Sequence, residues 1–232
     1  MHGRAITMIE LLVLMALLAV LLATMVPTLA KAKEYVVEVT CLDNVHRIMI
    51  AQTQYGKDNS DTWPGRGDDS TTDFENKLRA WVPCGTSYDS KFDVRKGALF
   101  PYLGTLGVYR CPSDEKPANG QLSYSINSNL YAHSVSRPSP VRAITYPKPA
   151  MFSQRGDLLI ILVDEGSPND GNFKPIKPSF AIADEPKWYH RQRSSVGFFD
   201  GHVVLCPYND PAIIQHLSPS WFPNRDNYEV VD

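Results

Sequence analysis

The feature that most constrains this chain is an uncharged, strongly apolar segment close to its N-terminus. No charged residue occurs from position 11 to position 30, a run of 20 residues made mostly of Leu, Val, Ala and Met. As a helix, about 20 residues extend roughly 30 Å, which matches the hydrocarbon thickness of a bilayer. The segment therefore predicts a membrane-spanning helix. A helix buried inside a soluble domain is one alternative.

A cleaved secretory signal peptide is the second alternative. Arg4 supplies the basic start of such a peptide, and Thr28-Leu29-Ala30 supplies a small-x-small cleavage sequence. Two features oppose it. The apolar run is longer than the roughly 7–15 residues of a signal peptide, and Glu10 stands at its front edge. An acidic side chain is costly to place in a membrane helix and usually has a partner there.

The helical pattern continues beyond the apolar segment. Apolar residues recur at spacings of three or four as far as Tyr55, and no Gly or Pro occurs between Thr28 and Tyr55. Gly56 then marks the stop. We expect one helix over residues 6–55. The part beyond the membrane carries an apolar stripe that requires a packing partner.

The remaining residues have the pattern of a folded domain with short strands. Residues 123–127 and 158–163 are expected strands, and the second is wholly apolar and therefore central. Asp200-Gly201 between two apolar runs predicts a two-residue hairpin turn with positive φ at both positions. The fold class is therefore α+β, with the long N-terminal helix packed on a mainly antiparallel β-sheet.

Composition narrows the function classes. Hydrophobic residues make up 43% of the chain and the formal net charge is −2. This is too apolar for a disordered chain, and it lacks the basic balance of a nucleic-acid-binding domain. The sequence contains no His-Glu-x-x-His run, phosphate-binding loop or nucleophile elbow. We expect no enzymatic activity and no nucleic-acid partner.

The residues around Glu10 resemble a processing signal. Ala5-Ile6-Thr7-Met8-Ile9-Glu10-Leu11-Leu12 is similar to the prepilin cleavage and methylation motif of type IV pilins and secretion pseudopilins. The resemblance implies that a prepilin peptidase cuts between Ala5 and Ile6, and that the new amine is methylated. It also implies that Glu10 pairs with the N-terminal ammonium of a neighbouring subunit during assembly. Two opposite charges in a medium of low dielectric constant cost less together than apart.

A second resemblance covers nearly the whole chain. His190, nine intervening residues and Asp200-Gly201 match the His-x9-Asp-Gly signature of a large bacterial family of prepilin-like proteins. The resemblance implies no particular biochemical activity. Further segments similar to that family are Cys41-Leu42-Asp43-Asn44, Leu99-Phe100-Pro101-Tyr102-Leu103, Tyr109-Arg110-Cys111-Pro112-Ser113-Asp114, Ser123-Tyr124-Ser125-Ile126-Asn127 and Val163-Asp164-Glu165.

Together the motifs imply a leader peptide (1–5), a transmembrane helix (6–30), its amphipathic continuation (31–56) and an extracytoplasmic globular domain (57–232). The implied protein is a single-pass inner-membrane protein with its domain in the periplasm or outside the cell. Its expected partners are the membrane, the prepilin peptidase and other pilin-like subunits. The expected function is a structural subunit of a pilus or secretion pseudopilus. A tethered module that binds polysaccharide or another surface ligand, and an anchored metalloenzyme, are the alternatives.

One group of residues is a candidate metal or acid–base cluster. It consists of His190, Asp200 and His202 with Asp164 and Glu165, because His and carboxylate ligands suit Zn²⁺ or a similar ion. The structural interpretation, which we favour, places Asp200 in the turn and lets His190 anchor the hairpin. We therefore assign no metal site here.

Calcium is the other candidate ion. Hard oxygen ligands occur in Asp58-Asn59-Ser60-Asp61, and in Asp164-Glu165-Gly166 followed by Asp170-Gly171. Neither stretch matches the ligand spacing of a helix-loop-helix calcium site. Solvated acidic loops are the favoured interpretation, and no cofactor is expected.

The chain has four cysteines in a region predicted to be extracytoplasmic. One or two disulfides are expected there, with three connectivities if all four pair. Buried free thiols are the alternative. The four are Cys41, Cys84, Cys111 and Cys206.

Overall fold

The structure, a computed structural model, describes residues 7–65, 80–82, 93–117, 121–127, 160–166, 171–173, 186–207 and 209–210. The predicted processing residues Ala5 and Ile6 lie outside this part of the chain, and so does Cys84. The chain divides into two compact units, Met1–Val39 and Thr40–Asp232.

A single long helix, α1 (Met8–Asp58), confirms the helical pattern of the N-terminal sequence. It is long and apolar enough to cross a membrane, by length and composition. The side chains of its apolar stretch are exposed, as at Leu21 (57%) and Leu22 (60%). A helix in the core of a soluble domain buries such side chains, so this observation argues against the buried-helix alternative.

The last part of α1 has an apolar face that is buried in the second unit. Cys41, Val45, Ile48 and Met49 are all buried, at the spacings of three and four that keep side chains on one face. The predicted amphipathic stripe is therefore present. The helix ends at Asp58, three residues beyond the predicted end.

In the part of the chain that the structure describes, three short helical segments lie between α1 and the first strand. They are a 3₁₀ helix (Val94–Lys96), α2 (Phe100–Leu103) and a second 3₁₀ helix (Leu106–Tyr109). Gly104 ends α2 in the left-handed region (φ 68°) that glycine adopts readily. The second 3₁₀ helix leads into Cys111.

Among the described residues, the sheet has five strands: β1 (Tyr124–Asn127), β2 (Ile160–Asp164), β3 (Asn172–Phe173), β4 (Arg193–Phe198) and β5 (Val203–Pro207). Their order is β3-β1-β2-β4-β5. Four strands are antiparallel neighbours, and the two-residue β3 pairs in parallel with β1. β2 is central and buried along its whole length, as its apolar sequence predicts. The predicted α+β class and mainly antiparallel sheet are confirmed.

The sheet has apolar side chains buried on both faces. Along β4, Val196 and Phe198 belong to a cluster that also contains Ile160 and Phe173. Gly197, between them, faces α1, since successive residues of a strand point to opposite faces. The larger cluster joins the buried face of α1 to the segments before β1, including Trp81, Tyr109 and Leu122.

The hairpin between β4 and β5 lies where the Asp-Gly pair predicts it, but its turn is of a different type. Gly201 N–H donates to the Phe198 carbonyl (2.9 Å), and Phe198 N–H donates to the His202 carbonyl (2.9 Å). Positive φ occurs at Gly201 (94°) and not at Asp200. The loop is therefore a three-residue connection ending in a left-handed glycine, and the expectation of positive φ at both positions is wrong.

Candidate functional site

Thr7 and Glu10 form a closed hydrogen-bonded pair at the start of α1. The Thr7 backbone N–H and hydroxyl both donate to Glu10 Oε2 (2.8 and 2.9 Å), and Glu10 N–H donates to Thr7 Oγ1 (3.3 Å). Because Met8 is the first helical residue, Thr7 is the N-cap and Glu10 the third helical position. This is a capping box, in which the side chains satisfy backbone donors that the helix leaves unpaired.

Sequence reasoning missed this pair although its signal was present. Thr7-Met8-Ile9-Glu10 followed by an apolar run is the sequence pattern of a capping box. The resemblance to the prepilin motif instead implies a partner for Glu10 on a neighbouring subunit. The structure gives the same carboxylate a partner in its own chain.

A buried polar cluster lies in the second unit, where four separate elements bring their side chains together. Cys41 comes from α1, Cys111 follows the second 3₁₀ helix, Asp164 is the last residue of β2, and His190 precedes β4. Their exposed fractions are 0%, 0%, 0% and 2% respectively. We call these four residues the Cys-His-Asp cluster.

Close contacts join the members of the Cys-His-Asp cluster. The sulfur of Cys111 lies 3.3 Å from His190 Nε2, and that nitrogen lies 3.9 Å from Asp164 Oδ2. Cys41 is hydrogen-bonded to Cys111. The two sulfur atoms and one ring nitrogen of Cys41, Cys111 and His190 all lie within 4.8 Å of one another.

Backbone geometry holds His190 in place. His190 and Arg193 exchange two backbone hydrogen bonds (3.1 and 3.0 Å), and the two residues between them, Arg191 and Gln192, have φ of 51° and 61°. Two left-handed residues in succession define a type I′ turn. Such turns favour Asn and Gly, so the Arg-Gln pair gave no turn signal in the sequence.

Further hydrogen bonds position the other cluster members. Ser195 N–H on β4 donates to Asp164 Oδ2 (2.6 Å).

The amide of Asn44, one turn after Cys41 on α1, donates to the Arg110 carbonyl (2.9 Å) and to the Tyr124 hydroxyl (3.4 Å). The helix is thus tied to the backbone immediately before Cys111.

Burial controls the protonation of the cluster. The hydrogen bond from Cys41 and burial raise the pKa of the Cys111 thiol, although the contact with His190 acts in the opposite direction. Burial raises the pKa of Asp164 to about 7, against the lowering effects of the Ser195 backbone N–H and of His190. At neutral pH the Cys111 thiol therefore keeps its proton, and the Asp164 carboxyl group is close to half ionised.

The structure separates the residues that sequence analysis had grouped as one candidate cluster. His190 and Asp164 lie in the buried cluster. Asp200 and His202 pair with each other at the partly exposed β4–β5 turn, where Asp200 Oδ1 also accepts from His202 N–H (3.0 Å). Asp200-Gly201 is therefore the turn, in agreement with the structural interpretation of this half of the signature. Glu165 is buried beside Asp164.

The structure describes some of the residues that the sequence offered as calcium ligands. Asp58 accepts a hydrogen bond from the Tyr102 hydroxyl (3.0 Å), and Asp170 lies outside the described residues.

Among the residues that the structure describes, the one group of three close metal-binding side chains is Cys41, Cys111 and His190. The first two, and Cys206, are buried free thiols, so no disulfide joins these three cysteines.

Comparison with known proteins gives no assignment for this arrangement. No family model matches the chain, and neither a curated protein nor a solved structure matches it. The chain has a long apolar N-terminal helix and a mainly antiparallel sheet, a layout compatible with that of pilins. Six residues far apart in the sequence meet in or beside one buried cluster: Cys41, Asn44, Cys111, Tyr124, Asp164 and His190.

Proposed function

We propose that this protein is a pilin-like or pseudopilin-like structural subunit, anchored in the inner membrane by the first part of α1. Its α+β domain lies in the periplasm or outside the cell. The observation that carries the proposal is the unburied apolar surface of α1, in which residues such as Leu12, Leu22 and Leu29 are each more than half exposed. An apolar surface of this size requires lipid or other apolar helices to cover it.

Assembly with other subunits follows from the resemblance at the N-terminus. A prepilin peptidase cuts after Ala5, and the apolar helices of several subunits then pack side by side. Glu10, at the head of the apolar stretch, pairs with the amine of a neighbouring Ile6. In a lipid environment each of these charges alone is unfavourable, so their pairing selects the correct stagger between subunits.

One observation favours a second candidate function. Glu10 is already engaged by Thr7 in the capping box of its own helix. The carboxylate thus has a role within its own helix that does not require a neighbouring subunit. This supports a membrane-tethered module that presents its domain to a polysaccharide or another surface ligand without polymerising.

Mass spectrometry of the mature N-terminus in protein isolated from its native membrane tests the proposal. A chain that begins with methylated Ile6 supports the pilin-like subunit. A chain that still begins at Met1 contradicts processing and favours the tethered module. A chain that begins near Lys31 has lost the apolar segment as a signal peptide and overturns both functions.

A further inference from the structure

The Cys-His-Asp cluster brings two thiols, an imidazole and a carboxyl group together in the core. Packing of a buried core does not require this combination. Cys41, Cys111 and His190 come from sequence positions about 70 to 80 residues apart, and each is at least 98% buried. An isolated buried thiol behaves as a small apolar side chain. Two sulfur atoms and one imidazole nitrogen within 4.8 Å of one another form instead a set of metal-binding atoms.

The spacing of these atoms matches the edges of a tetrahedral metal site. With Zn–S of about 2.3 Å and Zn–N of about 2.0–2.1 Å, tetrahedral ligands are separated by about 3.6 Å between sulfur and nitrogen. The distance between Cys111 Sγ and His190 Nε2 is 3.3 Å. All three donors lie within 4.8 Å of one another, so an ion reaches each of them with small side-chain adjustments.

Charge and donor type select the ion. Thiolate and imidazole ligands suit zinc, whereas Ca²⁺ and Mg²⁺ require oxygen ligands. Two thiolates and one neutral imidazole carry a charge of about −2, which cancels that of a divalent cation. The resulting site is neutral, as a fully buried position requires.

Asp164 stands beside the fourth position of this site. Its Oδ2 lies 3.9 Å from His190 Nε2, and about 3.4 Å is expected between oxygen and nitrogen ligands of one tetrahedral zinc ion. The Ser195 N–H holds the carboxylate on the His190 side of the cluster. Asp164 does not belong to the group of donors that all lie within 4.8 Å of one another, so the fourth ligand is a water molecule bonded to this carboxyl group.

We propose that Cys41, Cys111 and His190 bind one Zn²⁺ ion, with Asp164 beside the fourth position. The ion joins α1 to the segment before β1 and to the turn before β4. Because the donors come from three separate parts of the second unit, zinc binding stabilises the folded domain directly. This site does not depend on whether the protein assembles into a filament.

Elemental analysis of the full-length protein, purified in detergent without chelators, tests the site. We expect about one zinc per chain, falling to below about 0.1 in the Cys111→Ala and His190→Ala variants. Cys206→Ala is the matched control, because Cys206 is also a buried free cysteine but lies in the other apolar cluster. This variant retains its zinc.

A second measurement on the unmodified sequence keeps the test independent of variant folding. After reduction and removal of metal, the full-length protein is titrated with Co²⁺, which produces a thiolate-to-metal absorption band when two cysteines bind it. The band is expected at one equivalent and is displaced by Zn²⁺. Absence of the band, with absence of zinc in the native protein, overturns the proposal.

Alkylation separates zinc binding from a disulfide between the same two cysteines. Protein isolated from its native membrane is alkylated under denaturing conditions, with chelator and without reductant, and analysed by peptide mass spectrometry. Alkylated Cys41 and Cys111 agree with the zinc site. A Cys41–Cys111 disulfide in the native protein contradicts it.

Discussion

Gly197 on β4 lies against Val45 on α1 so closely that there is little room for a side chain. A methyl group added to Gly197 would stand 3.0 Å from Val45 Cγ1 and 3.2 Å from Met49 Sδ. These are shorter than ordinary van der Waals contacts of about 3.5–4.0 Å between carbon atoms. The glycine therefore sets the distance at which the last part of α1 packs on the sheet.

Replacing Gly197 with alanine is expected to destabilise the domain by about 1–3 kcal/mol, because the added methyl forces the helix or its side chains to move. Gly197→Val is expected to cost more. Thermal unfolding of the detergent-solubilised chain, followed by tryptophan fluorescence, measures both effects.

The control for this substitution is Gly107→Ala. The nearest atom to a methyl at Gly107 is Thr105 Oγ1, at an ordinary 3.9 Å. This variant is expected to change stability by less than about 0.5 kcal/mol. Equal destabilisation by the two alanines would contradict the close packing of α1 on β4.

The Asn44 amide is a second link between α1 and the rest of its unit. Asn44→Ala removes the hydrogen bonds to the Arg110 carbonyl and the buried Tyr124 hydroxyl. The expected loss is about 1–3 kcal/mol, since the Tyr124 hydroxyl would lose a buried hydrogen-bond partner. His46→Ala, at an exposed position two residues further along α1, is expected to stay within about 0.5 kcal/mol of the parent. Urea unfolding of the two variants compares them directly, and similar midpoints would contradict the assignment.

Local patterns in the sequence predicted the main elements of the fold. The spacing of apolar residues predicted α1 to within three residues of its end, and the uniformly apolar segment predicted the central strand β2. The Asp-Gly pair predicted the β4–β5 hairpin. Each of these signals depends on residues that are close together in the chain, so a single sequence is sufficient to detect the element.

The Cys-His-Asp cluster could not be predicted in the same way. Its members are far apart in the chain, and no short motif specifies that Cys111 Sγ and His190 Nε2 lie 3.3 Å apart. The sequence analysis grouped His190 with Asp164 and also with Asp200, and its favoured interpretation placed Asp200 in the turn. The structure places His190 in the core and Asp200 at the partly exposed turn, because β4 separates them.

The type I′ turn before β4 was also missed, and its strained residues make a test. Gln192 has φ of 61°, a conformation that costs non-glycine residues about 1–2 kcal/mol. Gln192→Gly removes this strain at a cost of about 0.5–1 kcal/mol in backbone entropy. The variant is therefore expected to be more stable than the parent by about 0.5–1 kcal/mol.

The same substitution at Gln54 supplies the matched control. Gln54 is exposed within α1, where glycine is expected to reduce stability by about 1 kcal/mol. Thermal unfolding should thus shift in opposite directions for the two variants. A loss of stability in Gln192→Gly comparable to that in Gln54→Gly would contradict the left-handed assignment of the turn.

The capping box allows the two roles of Glu10 to be measured separately. A glutamine retains the oxygen that accepts from Thr7, and glutamine is as usual as glutamate at this position of a capping box. Glu10→Gln therefore preserves the helix cap and removes only the negative charge. Glu10→Ala removes both.

If Glu10 neutralises the amine of a neighbouring subunit, Glu10→Gln and Glu10→Ala should both reduce assembly by about tenfold or more, because each leaves a charge unpaired in the membrane. Assembly is measured as the fraction of protein in sheared or cross-linked polymers relative to the membrane fraction. Thr7→Val, which alters the cap and leaves the carboxylate in place, is the control and should assemble like the parent. Normal assembly of Glu10→Gln, together with its loss in Glu10→Ala, would show that capping the helix is the role of Glu10 and would contradict charge pairing between subunits.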